Sequence, residues 1–269
     1  MKIDKVVMGS NSNPFYLGFW PLVSKIWNLK FDIHPVLFLI RDDPSVTASE
    51  EYGTVHYIEP IKNVPVSLQC QWVRYWAPVT DLDATWMISD IDMFPISRSY
   101  FIDSIAEIPD DKFVNLNAHS IAANPACYNV AKGHTFKKVL DLPDSFEDSL
   151  MKTKFWEVDN EHRVEDGDGN IVSCLHWSTD ESYSNTLIGK YHNAVDSNMF
   201  INPGRPGGYC ARRVDREGSW IDNKGHWNLD EKRILEEFYL DAHCPRPYSK
   251  YEKEINRLAQ LIFSGGKNG

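Results

Sequence analysis

The 269-residue chain has no apolar run of bilayer-spanning length, and its start, Met1-Lys2-Ile3-Asp4-Lys5, carries no signal-peptide pattern. A protein without a transmembrane segment is expected, with any membrane association peripheral. Positive charge is in short supply: 28 Lys and Arg stand against 38 Asp and Glu, a net charge of −10. Such a balance gives no general attraction for nucleic acid or an anionic membrane. Cysteine is sparse. Cys70, Cys127, Cys174, Cys210 and Cys244 are odd in number and lack CxxC spacing, which argues against a disulfide framework and a structural zinc site. A reducing, cytoplasmic compartment is the expectation. No internal repeat or low-complexity segment is present, and only the tail at 264–269 reads as disordered.

What the chain has is aromatic side chains, 13 % of residues and nine of them Trp, within a 42 % hydrophobic composition. That suits a sizeable core and sugar-stacking surfaces alike. The length fits a single domain, expected over residues 1–263.

Strand and helix signals alternate through the first hundred residues. Lys5-Val6-Val7-Met8-Gly9 reads as a strand, followed by a polar loop from Ser10 to Pro14. Phe19, Leu22, Val23, Ile26 and Trp27 recur at helical spacing, with Pro21 suited to a first turn. Strands follow at 36–40 and 54–58. A second helix bearing Leu68, Trp72, Tyr75 and Trp76 ends before Pro78. This alternation predicts an α/β sheet with parallel strands, in which ligands bind beyond the carboxyl ends of the strands.

The central signal is Thr85-Trp86-Met87-Ile88-Ser89-Asp90-Ile91-Asp92-Met93-Phe94-Pro95. The apolar run reads as a buried strand that ends near Phe94, because Pro95 cannot donate to a ladder. If strand geometry persists through Ile91, Asp90 and Asp92 point to one side. Two such carboxylates suit a hard divalent cation, Mg²⁺ or Mn²⁺, able to hold nucleotide phosphates. The competing reading makes them caps of a turn or helix, although Ser97 is itself a good N-cap. Arg74, three residues beyond Gln71, either reaches a phosphate, braces Asp90 or Asp92, or is an ordinary surface arginine.

The second half is less regular. The stretch 113–117 alternates like a half-buried strand. The segment 164–172 resembles a calcium loop but lacks its glycine and its last glutamate, so a hairpin turn is the better reading. Trp177 precedes Asp180 and Glu181, a sugar platform beside an acid or base, or equally the acidic first turn of a helix opened by Thr179. Arg205, Arg212, Arg213 and Arg216 form a local basic concentration, read as a solvated face rather than an anion site. A helix is expected at 229–240 and another from about 250 to 262. Between them lies the Pro-punctuated His243-Cys244-Pro245-Arg246-Pro247-Tyr248.

Together, Asp90-Ile91-Asp92 after the Arg74 helix, Asp180-Glu181 with Asn185, and His243 followed by Arg246-Pro247-Tyr248 resemble the glycosyltransferases of the GT-A fold, with some likeness to glycogenin-like members. Those members have Asp-Gln where this chain has Asp180-Glu181, and a longer, Gly-containing spacing after the histidine. The resemblance spans 5 to about 251. It implies a Rossmann-like mixed central sheet flanked by helices, with a nucleotide-binding half at 1–105 and an acceptor-binding, catalytic half at 106–263. It further implies transfer of a sugar from a nucleoside-diphosphate sugar, a UDP-sugar first, to a glycan or other hydroxyl acceptor. Mn²⁺ or Mg²⁺ would be held by Asp90, Asp92 and His243. Ser10, Asn11, Arg74 and Asp90 would bind the nucleotide, Trp177 and Arg246 would meet donor or acceptor, and Asp180 or Glu181 would be catalytic.

Readings from other classes stand beside this one. A non-catalytic nucleotide-sugar or glycan-binding protein would keep the fold and the tryptophans without needing Asp180 or Glu181. A Mg²⁺-dependent phosphohydrolase would also use Asp90 and Asp92. A sugar nucleotidyltransferase ranks lower, for want of a Gly-rich, basic loop after the first strand.

Overall fold

The computed structural model describes residues 1–117, 125–154, 162–165, 171–174, 179–208, 211–217 and 228–265. Its organising strand is β1 (Lys5–Asn11). Alternate residues of β1 enter two different cores. Val6 and Met8 pack with the Trp20, Val23 and Trp27 face of helix α2 (Trp20–Phe31), which follows the single turn α1 (Pro14–Leu17). Val7 packs on the other side with Leu68, Trp72 and Val73 of helix α3 (Val66–Trp76). Strand β2 (His34–Ile40) repeats the division, with Leu37 and Leu39 on the α2 side and Val36, Phe38 and Ile40 on the α3 side. Strands buried on both faces are near-continuous apolar runs, which is how these read in sequence.

Strand β3 (Thr54–Ile58) leads into α3, and α3 into β4 (Thr85–Ile88). After β4 come β5 (Met93–Pro95), α4 (Arg98–Phe101), β6 (Phe113–Asn115) and β7 (Asn129–Lys132). Helices α5 (Gly133–Val139) and α6 (Phe146–Lys154), the strands β8 (His162–Glu165) and β9 (Ile171–Cys174), and helix α7 (Thr179–Ala194) follow. The remainder is β10 (Phe200–Ile201), α8 (Val214–Glu217), α9 (Glu231–Leu235), β11 (Asp241–His243) and α10 (Glu252–Ser264).

Seven strands form the central sheet in the order β10-β6-β7-β4-β1-β2-β3. The pairs β1–β2, β2–β3, β1–β4 and β6–β10 are parallel, and β7 alone runs antiparallel to its neighbours β4 and β6. The sheet is therefore mixed and flanked by helices, as expected. Because β2 lies on one side of β1 and β4 on the other, the strand order reverses at β1/β4. In open α/β sheets such a reversal is where ligands bind, outside the carboxyl ends of the strands. Close packing fixes this region: a Cβ on Gly9 would stand 2.1 Å from the Cys70 carbonyl oxygen, so α3 rests directly on the β1 backbone.

Several expectations need correction. Ser10 and Asn11 belong to β1 rather than to a loop, because they continue the ladder opposite Leu39 and Ile40. The central strand does not reach Phe94: β4 ends at Ile88, and the chain turns and restarts as β5 in a second, two-stranded sheet with β11. The stretch 113–117 is buried on both faces rather than half-buried. The helix expected at 229–240 stops early. Asp230 caps α9, Glu237 adopts a left-handed φ of 52°, and the Phe238 N–H closes onto the Arg233 carbonyl. Leu240 is committed elsewhere, its carbonyl accepting from the Ile96 and Ser97 N–H groups. The final helix runs through Ser264, two residues past the expected end, and 266–269 lie outside the described residues. Strands β8 and β9 pair antiparallel with Glu165 opposite Ile171, as a hairpin requires.

Candidate functional site

At the β1/β4 edge the Ser89 N–H donates to the Val7 carbonyl, and the chain then turns, with the Met93 N–H on the Asp90 carbonyl at 3.2 Å. Since strand geometry ends at Ile88, Asp90 and Asp92 do not share a face. They meet different partners. Asp90, about two-fifths exposed, forms an ion pair through Oδ1 with Arg74 Nη1. Asp92 is buried, and its Oδ2 lies 3.2 Å from His243 Nε2 and 3.5 Å from Arg246 Nε. Ser10 and Asn11 end β1 beyond its last pair with β4, Val7–Ile88, and lie opposite Leu39 and Ile40 of β2; Ser10 is buried.

The register of the small sheet brings His243 to Asp92. β11 pairs antiparallel with β5, His243 opposite Met93, and the Cys244 N–H donates to the Asp92 carbonyl at 2.8 Å. Residues 151 positions apart thus form one contact. Arg246 in addition donates from Nη1 to the Tyr16 hydroxyl at 2.8 Å, with its guanidinium 5.4 Å from the Tyr16 ring centre. Tyr16, on the segment after β1, went unnoticed in the sequence, where nothing distinguished it from other aromatics of that stretch.

Arg74 is the second node. It is buried on α3, donates from Nε to the Gln71 carbonyl, and extends Nη2 to Asp180 Oδ2 at 2.8 Å. The surface-arginine reading is thereby overturned. The bracing reading holds for Asp90, not for Asp92. Asp180 lies in the first turn of α7, as the helix-start signal anticipated. Glu181 points elsewhere, its Oε1 accepting from the Ala126 N–H at 3.0 Å.

Charge and burial compete across these contacts. Burial pushes the Asp180 carboxyl up to about 6, with Arg74 opposing and Glu181 reinforcing the shift. For Asp92, burial also acts upward, but the adjacent His243 and then Arg246 outweigh it and hold the carboxyl at about 2. Arg74 stays charged: burial disfavours the guanidinium most strongly, but Asp180 together with Cys127, Tyr75 and Glu181 outweighs it and raises the group above its ordinary value. Burial pushes the Cys127 thiol up, among Arg74, Glu181 and Asp92, so it is not an activated nucleophile.

The solvated-face reading of the arginines fails for two of them. Arg205 and Arg213 are buried against Asp241 and Asp215, while Arg216 remains exposed. A run of arginines looks solvated when its acidic partners are distant or inconspicuous in sequence. Here Asp241 stands 36 residues from Arg205. Trp177 lies outside the described residues.

The donors present suit Mn²⁺ or Mg²⁺ in type, two carboxylates and one imidazole. Neighbouring ligands of an octahedral ion with bonds of about 2.1 Å stand about 3 Å apart. The 3.2 Å between Asp92 Oδ2 and His243 Nε2 matches that separation. Asp90, held by Arg74, would join directly on release or through a water. Among the described residues no three His, Cys, Asp or Glu side chains converge as a ready-made metal group. Substrate oxygens and water would complete the sphere, as is common for Mg²⁺. No helix among the described residues is long and apolar enough to cross a membrane.

No family model and no curated protein matches the sequence. Among solved structures, the chain is similar to the galactosyltransferase LgtC in complex with donor and acceptor sugar analogues, at 10 % identity and a TM-score of 0.47 over 98 % of this chain and 97 % of that one. It is also similar to the glycosyltransferase GlyE of Streptococcus pneumoniae TIGR4, at 12 % identity and a TM-score of 0.45 over 97 % of this chain and 63 % of that one. At these values the likeness concerns the course of the chain, and the chemistry rests on the residues described above.

Proposed function

We propose that this chain is a glycosyltransferase that moves a sugar from a nucleoside-diphosphate sugar, a UDP-sugar first, to a hydroxyl of a glycan or other acceptor, with Mn²⁺ or Mg²⁺ at Asp92, His243 and Asp90. One observation carries this reading. Arg74 ties Asp90, on the turn after β4, to Asp180, on the first turn of α7, at the edge where the strand order reverses. On this reading the two ion pairs link the diphosphate end of the site to its reacting end.

When bound, the ion supplies Lewis-acid stabilisation of the leaving diphosphate. The chain's own residues do the rest. Ser10 and Asn11 line the nucleoside side, and Arg246 brings a positive charge beside Asp92 to the phosphates. Arg74 fixes the Asp180 carboxylate and keeps it close to ionisation near neutral pH. Asp180 serves the reacting end, as the base toward the acceptor hydroxyl or as the anion facing positive charge developing at the sugar carbon. Glu181, held on the Ala126 N–H, shapes the acceptor side.

Thermal unfolding tests this directly. UDP, GDP, CDP and dTDP are each added with Mn²⁺, with Mg²⁺ and with EDTA. A ligand at 100 times its Kd adds about 2.7 kcal/mol to the native state. A shift that requires metal, selects one diphosphate and disappears in Asp92→Asn is the expected result. The proposal is overturned if no nucleoside diphosphate shifts the transition in the presence of either ion.

A further inference from the structure

The contact between Asp92 and His243 depends on β11, and β11 is a weak strand by itself. It has three residues, pairs with the three-residue β5, and adds on its other side one isolated bridge from Asp241 to Arg213. A two-stranded ribbon of this size has little independent stability. Nor does this ladder hold every backbone group of β11: the Ile96 N–H donates to the Leu240 carbonyl and the Cys244 N–H to the Asp92 carbonyl, so the alternate residues Asp241 and His243 direct their N–H groups away from β5. The register places His243 beside Asp92, and so short a ladder leaves room for a brace from outside to hold it there.

The side chain of Asp241 supplies it. Asp241 is fully buried, and both of its oxygens are taken. Arg205 reaches Oδ1 through Nη2 at 2.5 Å and Oδ2 through Nη1 at 3.0 Å, and the Tyr128 hydroxyl donates to Oδ2 at 3.0 Å. Tyr128 directly precedes β7, so the clasp anchors β11 to the central sheet. Arg205 Nη1 lies 3.5 Å from Asn117 Oδ1, two residues beyond β6, which ties the same carboxylate to a second strand end. The other flank of β11 is held as well: the His243 N–H donates to Asp215 Oδ1 at 3.0 Å, and Arg213 Nε lies 3.4 Å from that oxygen and 3.7 Å from Asp241 Oδ1.

We propose that Asp241, clasped by Arg205 and Tyr128, is a positioning residue that holds His243 on Asp92. The functional half of this inference rests on the metal-dependent reading above; the geometric half does not. A buried ion pair with only a structural role would cost stability when broken and leave the metal site alone. A positioning role is different. Partners that orient a metal-binding histidine typically change metal affinity by about 10- to 100-fold when removed.

Two conservative variants separate these outcomes. Arg205→Lys keeps the charge and loses the two-point grip, and Tyr128→Phe keeps the ring and loses one donor. In the metal-free crystal structure of Arg205→Lys, or of Tyr128→Phe where the first does not fold, the His243–Asp92 contact is expected to open beyond hydrogen-bond distance. An unchanged contact overturns the positioning role, whether or not the wild type binds metal. In a second arm, free Mn²⁺ is counted by electron paramagnetic resonance in the presence of UDP. Arg205→Lys is expected to bind Mn²⁺ about 10-fold or more weakly, with Tyr128→Phe shifted the same way by less and activity recovering as Mn²⁺ is raised. Wild-type affinity in both folded variants overturns the proposal. A wild type that binds no Mn²⁺ with UDP overturns the metal reading, while the structural arm still decides the positioning.

Discussion

Arg74 Nη2 stands 2.8 Å from Asp180 Oδ2, both side chains buried, while the same guanidinium holds Asp90. A planar fork satisfies two carboxylates at once, which a lysine ammonium does with less geometric control. Arg74→Lys is therefore expected to fold and to lose about 100-fold in kcat/KM, the scale of a misplacement of about 1 Å. Arg74→Ala leaves Asp180 buried without its counter-charge and is expected to cost about 3–5 kcal/mol in chemical denaturation. Wild-type turnover in Arg74→Lys would contradict the shared-clamp role.

The same pair sets a pH dependence. The Asp180 carboxyl is raised to about 6. A raised carboxyl favours folding fully below its unfolded value, near 4, and that contribution is lost as pH rises through 6. The shift corresponds to about 3 kcal/mol. Asp92 has the opposite sign. Held at about 2, it contributes about 2 kcal/mol above pH 4, lost as pH falls through 2. Denaturation midpoints between pH 4 and 7 should show the Asp180 slope, and Asp180→Asn should remove it. If the anion is the working form, kcat/KM in the wild type declines below about pH 6. A flat wild-type profile from pH 5 to 7 would remove Asp180 from the reacting end.

Much of this arrangement was legible in the sequence, and the reasons differ by element. β1, β2, α3 and β4 announce themselves because each apolar residue is buried on one of two faces, so periodicity and burial agree. Asp90, Asp92 and His243 stood out because carboxylates and a histidine interrupt runs that are otherwise apolar or proline-bounded, and Asp180 because it follows Trp177 in the acidic first turn of a helix opened by Thr179. What sequence reading missed is long-range pairing. Nothing local marks Arg205 as the partner of Asp241, Tyr16 as the partner of Arg246, or the Pro95–Asp241 register. Each needs the small β5–β11 sheet, and three-residue strands carry too little pattern to be recognised. The α9 error has the same root. Residues 236–240 suit a helix locally, but Leu240 is recruited by Ile96 and Ser97.

Gly9 offers a test of how rigidly the fold holds Arg74. An added Cβ would meet the Cys70 carbonyl oxygen at 2.1 Å and Val73 Cγ1 at 2.9 Å, so β1 and α3 must part. Gly9→Ala is expected to destabilise by about 1–3 kcal/mol, the usual range for overpacking. Because Cys70 and Val73 flank Arg74 on α3, kcat should fall as well, in protein that remains folded. Unchanged stability would mean that the contact relaxes freely, and that α3 is not held where the site needs it.

Arg246 yields the sharpest prediction, because it stands where two cations compete. Its Nε is 3.5 Å from Asp92 Oδ2, and Tyr16 holds its far end. A divalent ion on Asp92 and His243 would be a like charge a few ångströms away, a repulsion of several kcal/mol at an effective dielectric constant of about 20. The negative charge of a nucleoside diphosphate offsets both cations together. Mn²⁺ alone should then bind weakly and UDP should tighten it, with UDP tightened equally by Mn²⁺ because such coupling is reciprocal. Arg246→Met removes the resident cation and keeps much of its apolar bulk. Titration calorimetry should find Mn²⁺ alone binding more tightly to this variant than to the wild type, UDP with saturating Mn²⁺ binding about 10-fold more weakly, and the coupling between the two ligands reduced. The direction for Mn²⁺ alone is the decisive reading. If removing Arg246 weakens it, the arginine supports the metal site rather than competing with it, and its contact with Asp92 has the opposite meaning.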